Sequence, residues 1–392
     1  MDLVTACIRS HGGRQVFGDP FGDLEHRAVG DPAVAAMFAD ADGRHHGVGV
    51  AYDAGRRRLR LSSRPGAIEA PIEVLDSPLH ITRVIEQAAR AVARSHATRV
   101  VEIACDLDEP ITSRARPAGR RDYAPYAGAV VGDGPRVAML AGPHVARRGA
   151  VDALHAFAAA AGLAVANTWG AKGLYRWDSP HHAGTVGLQQ HDFELVFDGV
   201  DLVIATGLDP DETRPPMPAG TTVVVLDPQQ LGLLAHHVAR RPTIAANPLY
   251  ERLAAIAQPG YLDTRRPFHP ARLVAELRAE MQADAVVTAD PGPAGLWVAR
   301  TFSTTELGSV VVPATGGPGV GAALAATAAL RGGEATYVTT TPDLPLVAEI
   351  RAVGTALGAQ FGMRVWDDAE RPVDWDCTRD LVAAAGPVAA WT

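Results

Sequence analysis

Short apolar runs alternate with helix-like segments in the middle of the chain, and this pattern predicts the fold there. Four runs rich in Val, Ile and Leu are each bounded by Gly, Pro or a polar turn: Val137–Gly142, Leu163–Trp169, Asp201–Gly207 and Thr221–Asp227. Runs of this length are typical of buried parallel strands. Between the first two, apolar residues recur at helical spacing from Val151 to Ala161, and Gly162 stands where a helix C-cap is expected. The pattern therefore predicts an open α/β sheet, whose ligands bind beyond the carboxyl ends of the strands.

Weaker patterns of the same kind flank this region. Before it, the sequence predicts an amphipathic helix over His80–His96 and four strands: Gln15–Gly18, Ala33–Ala39, Arg58–Ser63 and Arg99–Ala104. After it, the sequence predicts helices over Pro270–Met281 and Ala322–Leu330, with strands at Asp284–Ala289, Ser309–Thr315, Ala335–Thr340 and Met363–Trp366. Irregular stretches that contain prolines separate the three parts. We therefore expect α/β segments at 1–108, 136–240 and 270–392, joined by linkers at 109–135 and 241–269.

Composition excludes some classes of function. A chain of 392 residues, 47% hydrophobic and 20% charged, is typical of a soluble globular protein of two or three domains. Its net charge of -8 argues against nucleic-acid binding, which needs a basic face. Cys7, Cys105 and Cys377 are too few and too far apart for a disulfide framework. No apolar run is long enough to span a membrane and no signal peptide is visible, so we expect a cytoplasmic protein.

The order of motifs in the central region is similar to that of a known enzyme family. Lys172-Gly173 is followed by Trp177-Asp178-Ser179-Pro180-His181-His182, and then by Gly184-Thr185-Val186-Gly187-Leu188-Gln189. This order resembles the central domain of thiamine-diphosphate (ThDP) enzymes, and within them the acetolactate-synthase-like branch. A weaker resemblance covers nearly the whole chain. It implies three doubly wound parallel-sheet segments, in the order pyrimidine-binding-like, central and diphosphate-binding-like, with the first and third shortened.

The resemblance also implies a set of cofactor-binding residues. The turn from Gly316 to Gly321 stands where the family has its cofactor loop, and backbone N–H groups entering a helix can hold phosphate. A glycine turn that serves only packing is the alternative. The candidates are Gly316, Gly317, Gly319 and Gly321 in this turn, and Gly142, Lys172, Gly184 and Asp227 in the central region. ThDP with Mg²⁺ is the implied cofactor, and FAD or another nucleotide is a second one because several acetolactate-synthase relatives hold FAD in the central domain.

Two departures from the family pattern bear on activity. The family has a glutamate just after the second strand of the first domain, and this glutamate hydrogen-bonds the aminopyrimidine of the cofactor. Here its nearest counterpart is Asp42, whose side chain is shorter by one methylene. The alternative is that Asp42 only forms part of a surface turn. The family holds its metal through Gly-Asp-Gly after a strand and through a later asparagine. Here that strand leads to Thr341-Pro342-Asp343, and the chain has no asparagine beyond Asn247. Asp343 is the one candidate metal ligand, since Mg²⁺ prefers oxygen ligands.

These observations leave several hypotheses open. The first is a ligand-binding pseudoenzyme or an accessory subunit that has lost the catalytic glutamate and the metal motif. The second is a ThDP-dependent 2-oxo acid decarboxylase or carboligase with a rebuilt site. The third is an FAD- or NAD-binding protein on the same scaffold, because Gly317-x-Gly319-x-x-Ala322 loosely matches a dinucleotide fingerprint. In each case we expect a small-molecule ligand, and self-association or pairing with a full-length relative, without a nucleic acid or membrane partner.

Overall fold

The computed structural model describes eleven stretches of the chain: 1–63, 72–95, 98–107, 136–188, 192–209, 212, 217–236, 258–265, 268–314, 316–341 and 344–366. These residues form two compact units. The first contains the described parts of Met1–Tyr123, Gly316–Gly332 and Asp343–Phe361, and the second those of Ala124–Thr315, Gly333–Pro342 and Gly362–Thr392. None of the helices within these stretches is long and apolar enough to cross a membrane.

Besides the helical residues 258–262, eleven helices are assigned within the described stretches. They are α1 Asp2–Arg9, α2 Pro32–His46, α3 Ile81–Ser95, α4 His144–Arg147, α5 Val151–Ala161, α6 Asp192–Phe197, α7 Leu231–Ala235, α8 Pro270–Glu280, α9 Pro293–Thr301, α10 Val320–Leu330 and α11 Pro345–Ala356. The helices predicted at His80–His96, Pro270–Met281 and Ala322–Leu330 are therefore confirmed, as α3, α8 and α10.

The first unit contains a six-stranded sheet. Its strands are β1 Gln15–Gly18, β2 Glu25–Ala28, β3 Gly49–Asp53, β4 Arg58–Ser62, β5 Ile72–Leu75 and β6 Arg99–Ile103, in the order β2-β1-β3-β4-β6-β5. All neighbours are parallel except β4, which runs antiparallel to both β3 and β6. The expectation of a wholly parallel first sheet is therefore corrected at one strand. β2, β3 and β5 were not predicted.

Helix α2 replaces a predicted strand. The run Ala33–Ala39 lies inside α2. The side chain of Asp31 accepts hydrogen bonds from Ala33 N and Val34 N at 2.7 and 3.0 Å, and Pro32 occupies the first helical position. A cap followed by proline is a strong helix start. The strand prediction is wrong because the alanine-rich run carries no strand period and favours a helix.

Helix α2 is buried on two sides. Phe38 packs on Phe17 of β1 with ring centroids 5.4 Å apart, and α10 and α11 of the same unit also pack against α2. Its buried residues include three charged ones, Asp40, Asp42 and Arg44. Asp40 forms an ion pair with Arg60 of β4 at 3.1 Å. Because partners cover α2 from both sides, its sequence lacks the one-sided apolar stripe of a surface helix.

Two glycines allow α2 to approach the sheet closely. A Cβ atom built on Gly49 would lie 1.6 Å from the carbonyl oxygen of Ala39, and one built on Gly43 would lie 2.0 Å from that of Ser62. Both obstacles are backbone atoms, which cannot move aside as a flexible side chain can. The contact between α2 and the strands β3 and β4 therefore requires glycine at both positions.

We expect Gly49→Ala to lower the free energy of unfolding by ~3 kcal/mol or more, the upper end of what overpacking usually costs. The helix has to shift away from the sheet to admit the methyl group. Urea unfolding followed by circular dichroism measures the loss. Gly30→Ala is the matched control, because a Cβ there meets no atom within 4 Å. Equal unfolding midpoints for the two variants would contradict the close packing of α2.

The second unit contains two parallel sheets. The larger has the order β11-β10-β7-β8-β9, with β7 Val137–Ala141, β8 Val165–Thr168, β9 His182–Val186, β10 Leu202–Thr206 and β11 Thr222–Leu226. The smaller has the order β13-β12-β14-β15, with β12 Val286–Ala289, β13 Val310–Val311, β14 Ala335–Thr339 and β15 Gly362–Val365. The four central strands predicted from the apolar runs are confirmed, and β9 was missed.

Three sheets therefore occupy the three predicted segments, and the α/β fold class is confirmed. The helices do not follow the segments, because α10 and α11 pack into the first unit. The proposed linker 109–135 lies outside the described residues, and so does most of 241–269. The exact domain boundaries stay a prediction.

Candidate functional site

The strand order of the larger sheet reverses between β7 and β10, at the usual binding edge of such sheets. Here the loops that follow the two strands are in direct contact. Gly142 N donates to Thr206 O, and His144 N donates to Gly207 O, both at 2.9 Å. A Cβ atom on Gly142 would lie 2.4 Å from the oxygen of Gly207. Gly142, expected to bind a cofactor, therefore serves close packing in this structure.

Buried charged side chains lie beside this contact. Arg147 and Asp209 form an ion pair at 3.1 Å, with 3% and 6% of their side chains exposed. Glu212 Oε1 accepts a hydrogen bond from Gly170 N at 2.7 Å. Burial raises the pKa of Glu212, and the nearby Thr168 hydroxyl and Gly170 N–H oppose that shift. The edge of the sheet thus holds an ion pair and a carboxyl group that resists ionisation.

We expect the Glu212→Gln variant to be more stable than the wild type, by a margin that grows as the pH rises. The pKa of Glu212 is higher in the folded than in the unfolded chain, so ionisation above its ordinary pKa near 4.3 opposes folding. Glutamine keeps an oxygen for Gly170 N but carries no charge. The free energy of unfolding of the wild type should fall relative to the variant by about 1.4 kcal/mol per pH unit between the unfolded and folded pKa values. Urea unfolding between pH 4 and 8 measures this difference.

Glu334→Gln is the control, because Glu334 is exposed. Because substitutions at exposed positions usually change stability by less than ~0.5 kcal/mol, its unfolding midpoint should stay close to that of the wild type. A pH-independent difference for Glu212→Gln would show that Glu212 titrates normally in the folded protein.

A bulge between β8 and β9 places Gly184. The pairing shifts between Val165 and Asn167, and Gly184 has φ 96°, a backbone conformation that favours glycine. The bulge brings Thr185 next to Asn167, whose Nδ2 donates to the hydroxyl of Thr185 at 3.0 Å. Gly184 therefore has a conformational role in this structure.

A remote helix contributes a buried arginine to the same region. Arg300 of α9 donates to Thr185 O at 3.0 Å and to Asp192 Oδ1 at 2.6 Å. Asp192 Oδ2 in turn accepts from Leu188 N at 2.9 Å. The side chains of Arg300 and Asp192 are 4% and 2% exposed. This ion pair connects α9 to β9 and α6 within the second unit.

Lys172 is buried next to this ion pair. Burial and the charge of Arg300 lower the pKa of Lys172 to about 7. Burial and the charge of Lys172 lower the pKa of His182 to about 3, so this histidine is neutral near pH 7. The ring of Tyr175 is parallel to that of His182, with centroids 6.3 Å apart. Lys172 is thus a titratable amine among buried polar groups.

Asp227 caps a short helical turn. Its Oδ1 accepts from Gln229 N at 2.8 Å, and Arg148 approaches it at 3.9 Å. The carboxylate lies at the carboxyl end of β11 with 54% of its side chain exposed. It has the position of a ligand-binding acid, and its observed contacts are those of a cap.

In the first unit, Asp42 does not follow the second strand. It lies in the last turns of α2, where Gln15 Nε2 donates to its Oδ1 at 2.8 Å and Arg331 lies 3.5 Å from the same atom. Its side chain is 1% exposed, and burial raises its pKa while His46, Gln15 and Arg331 oppose the shift. Asp31 lies three residues after the end of β2, and its exposed carboxylate caps α2. The position inferred for Asp42 is therefore corrected.

The glycine turn leads into α10. Gly316 and Gly319 have φ values of 134° and 92°, and Gly319 is the N-cap of α10. A Cβ on Gly317 would meet no atom within 4 Å, so open space lies beside the turn. Gly321 is already within α10. This arrangement agrees with both roles considered for the turn, packing and phosphate binding.

The end of β14 contains threonines. Thr341 N donates to Thr339 Oγ1 at 3.0 Å, and Asp343, the candidate metal ligand, lies outside the described residues. Nearby, the hydroxyl of Tyr337 donates to Asp290 Oδ2 at 2.6 Å. Across the stretches that the structure describes, no group of three His, Cys, Asp or Glu side chains is placed to hold a metal ion.

Sequence reasoning missed most of the buried charged residues. Asp209 follows directly on an apolar run, so its place at the carboxyl end of a strand could have been predicted. Arg300 and Asp192 are 108 residues apart, and their pairing left no local signal. Arg147 and Glu212 also depend on contacts between loops that are distant in sequence.

Comparisons with known proteins agree with this architecture. Residues 132–246 match the family model of the thiamine pyrophosphate enzyme central domain. No curated protein matches the chain. One similar solved structure is that of a Mycobacterium smegmatis protein described as a "putative thiamin diphosphate-dependent enzyme". The two sequences are 17% identical, and the TM-score is 0.60. The match covers 93% of this chain and 87% of that chain. At this identity the similarity concerns the fold. Residues 132–246 are therefore similar to the central domain of thiamine pyrophosphate enzymes, in a chain whose fold is similar to that of the Mycobacterium smegmatis protein.

Proposed function

We propose that this chain uses the ThDP-enzyme fold to bind a small molecule without performing ThDP chemistry itself, either alone or as an accessory subunit of a full-length relative. Within the family we place it near the acetolactate-synthase-like branch, and we propose that it acts in the cytoplasm. The observation that carries the proposal is the state of the two aspartates that could replace the family's glutamate. Neither Asp42 nor Asp31 presents an unengaged carboxylate.

Asp42 is not accessible to a cofactor. It is 1% exposed, faces Arg331 and accepts from Gln15 within the first unit. A proton relay needs a carboxylate within hydrogen-bond distance of the group that it protonates. A buried residue that already holds an ion pair cannot reach that distance unless α2 moves.

Asp31 lies where the family's glutamate would be expected along the chain, but its carboxylate caps α2. Its Oδ1 accepts two backbone N–H groups at the start of α2. Replacing a capping aspartate typically costs ~1 kcal/mol of stability, which accounts for Asp31 without any catalytic role. Aspartate is also one methylene shorter than the glutamate of the family, and small misplacements of a catalytic group can cost ~10²-fold in rate.

The residues described around β14 fit a ThDP–Mg²⁺ site poorly. The family's Gly-Asp-Gly is replaced by a threonine run, in which Thr339 and Thr341 hydrogen-bond to each other. A divalent ion that bridges protein and diphosphate needs hard oxygen ligands in near-octahedral geometry. The chain also has no asparagine beyond Asn247 to act as the second ligand.

A second candidate function is a ThDP-dependent 2-oxo acid decarboxylase or carboligase with a rebuilt site. The position of Asp31, three residues after the end of β2, favours it, because the family has its glutamate just after the second strand. FAD in the crevice between β7 and β10 has less support, because the two loops at that crevice already contact each other through Gly142 and Gly207.

A pyruvate turnover assay with added ThDP and Mg²⁺ tests the proposal. We expect no turnover above a buffer control, because Asp42 is buried in an ion pair and the carboxylate of Asp31 caps α2. Asp31→Asn and Asp42→Asn are a matched pair of variants. Turnover that is lost in the first variant and kept in the second would establish the decarboxylase function instead.

A further inference from the structure

Lys172 is the only lysine in the chain. Lysine and arginine total 36 residues, and the other 35 are arginine. Wherever a positive charge alone suffices, this sequence uses arginine. Lysine differs from arginine chiefly in that its amine can lose its proton near neutral pH, whereas the guanidinium stays charged. A single lysine in a buried position therefore points to a role that needs an amine.

The surroundings of Lys172 favour the neutral amine. The residue is 8% exposed, and no hydrogen bond or ion pair of its Nζ is found within the stretches that the structure describes. The carboxylate that pairs with Arg300, that of Asp192, also accepts a hydrogen bond from Leu188 N. Desolvation of an uncompensated ammonium disfavours the charged form. Burial and Arg300 accordingly lower the pKa of Lys172 to about 7.

The other titratable groups of the cluster add no negative charge. Burial keeps His182 neutral near pH 7 by lowering its pKa to about 3. Burial also raises the pKa of Tyr175 well above its usual range, so its hydroxyl keeps its proton. Tyr175 Oη has no hydrogen-bond partner among the described residues. His155 Nε2 donates to Leu174 O at 2.7 Å and is thereby engaged.

An anion site is the obvious alternative for a buried cation, and the composition argues against it. Arginine binds carboxylates and phosphates through two parallel N–H bonds, and a lysine presents only a point charge. A sequence with 35 arginines and one lysine would be expected to use arginine for that purpose. The amine, rather than the charge, is the property that distinguishes this position.

We propose that Lys172 is a nucleophilic amine that forms an imine with a small carbonyl compound, an aldehyde or a 2-oxo acid. The neutral Nζ attacks the carbonyl carbon and forms a carbon–nitrogen bond. The carbonyl oxygen leaves as water with both hydrogens of the amine, so no oxidant or reductant is needed. The neighbouring His182 and Tyr175 offer groups that can pass the proton to the departing oxygen. The proposal does not depend on whether ThDP binds.

Reductive trapping on the full-length protein tests the proposal. The native protein is incubated with glyoxylate in one arm and acetaldehyde in the other, and sodium cyanoborohydride is added to each. The reagent delivers hydride to the imine carbon, and water supplies the proton to nitrogen, which leaves a stable secondary amine. Peptide mass mapping then locates the adduct. The assignment is unambiguous because the chain has only two amines, the side chain of Lys172 and the α-amino group at its N-terminus.

We expect an adduct on Lys172 in at least one arm, with labelling that rises through about pH 7. An ordinary lysine would label with a midpoint near its pKa of about 10.4, and the adduct on the α-amino group of the chain serves as an internal control for the reaction. Lys172→Arg should lose this adduct and keep the one on the α-amino group. Labelling of the α-amino group alone, or of Lys172 only after denaturation, would overturn the proposal. These outcomes are read from the wild type, so they hold even if the variant fails to fold.

Discussion

Replacing Arg300 by methionine should lower the free energy of unfolding by about 3–5 kcal/mol. The guanidinium is 4% exposed and lies 2.6 Å from Asp192, which is 2% exposed. Methionine fills much of the same volume but leaves the Asp192 carboxylate buried without its cation, and an uncompensated buried charge is strongly destabilising. The hydrogen bond from Arg300 to Thr185 O is lost as well. Urea unfolding at neutral pH measures the change.

Two further variants separate the ion pair from general packing. Asp192→Asn combined with Arg300→Met removes both charges, so it should be less destabilising than the sum of the single changes. Arg265→Ala is the exposed control, because Arg265 is 86% exposed although it contacts Asp263 at 2.6 Å. It should leave the unfolding midpoint unchanged. Strictly additive losses for Asp192 and Arg300 would show that the pair is not coupled.

The Arg300 variant also bears on Lys172. Arg300 is a cause of the low pKa of Lys172, second to burial. Where Arg300→Met remains folded, the pKa of Lys172 should therefore rise, and its labelling should move to higher pH. Stability and amine reactivity thus report on the same buried cluster.

The central sheet could be predicted because each of its strands carries its own signal. The run from Val203 to Ala205 is fully buried on both faces, so the strand is a continuous apolar run. β9 was missed because its sequence, from His182 to Val186, is half polar and contains the bulge glycine Gly184. A strand with this pattern takes its conformation from its neighbour β8.

The first unit could be predicted less well, for a physical reason. Helix α2 lies between the sheet and two helices that are almost 300 residues further along the chain. Its burial on both sides removes the helical period that sequence analysis relies on. The start signal at Asp31 and Pro32 was present in the sequence and would have corrected the assignment. The antiparallel β4 also has a local signal, the turn at Ala54–Arg57 between two short apolar runs.

In the candidate site too, some residues could be predicted from a local sequence signal and others could not. The glycine positions could be found because turns have a local sequence signal. In the structure, however, Gly142 and Gly184 have conformational roles. Lys172 was found through a motif, and its importance comes from partners that the motif does not contain. Such partners, Arg300 above all, come from other segments and become visible only once the chain is folded.

The second large effect concerns the cofactor itself. Isolated protein should bind ThDP in the presence of Mg²⁺ far more weakly than an enzyme with a complete site. Each lost charge-assisted ligand contact costs on the order of 1.5–3 kcal/mol, which is about ten- to a hundredfold in affinity. Gly-Asp-Gly does not follow β14, where the chain reads Thr341-Pro342-Asp343, and no asparagine lies beyond Asn247, so two such contacts are missing. Backbone N–H groups at the start of a helix can bind phosphate in general, so weak binding of a nucleotide at the glycine turn before α10 would be compatible with this account.

The most direct test of the central claim is isothermal titration calorimetry of the full chain with ThDP and Mg²⁺. The proposed loss of ThDP chemistry predicts no binding in the sub-micromolar range, and identical titrations for the wild type and for Asp31→Ala. Sub-micromolar binding that requires Mg²⁺ and disappears in Asp343→Ala would contradict the account. The chain would then be a ThDP-dependent enzyme with a rebuilt metal site.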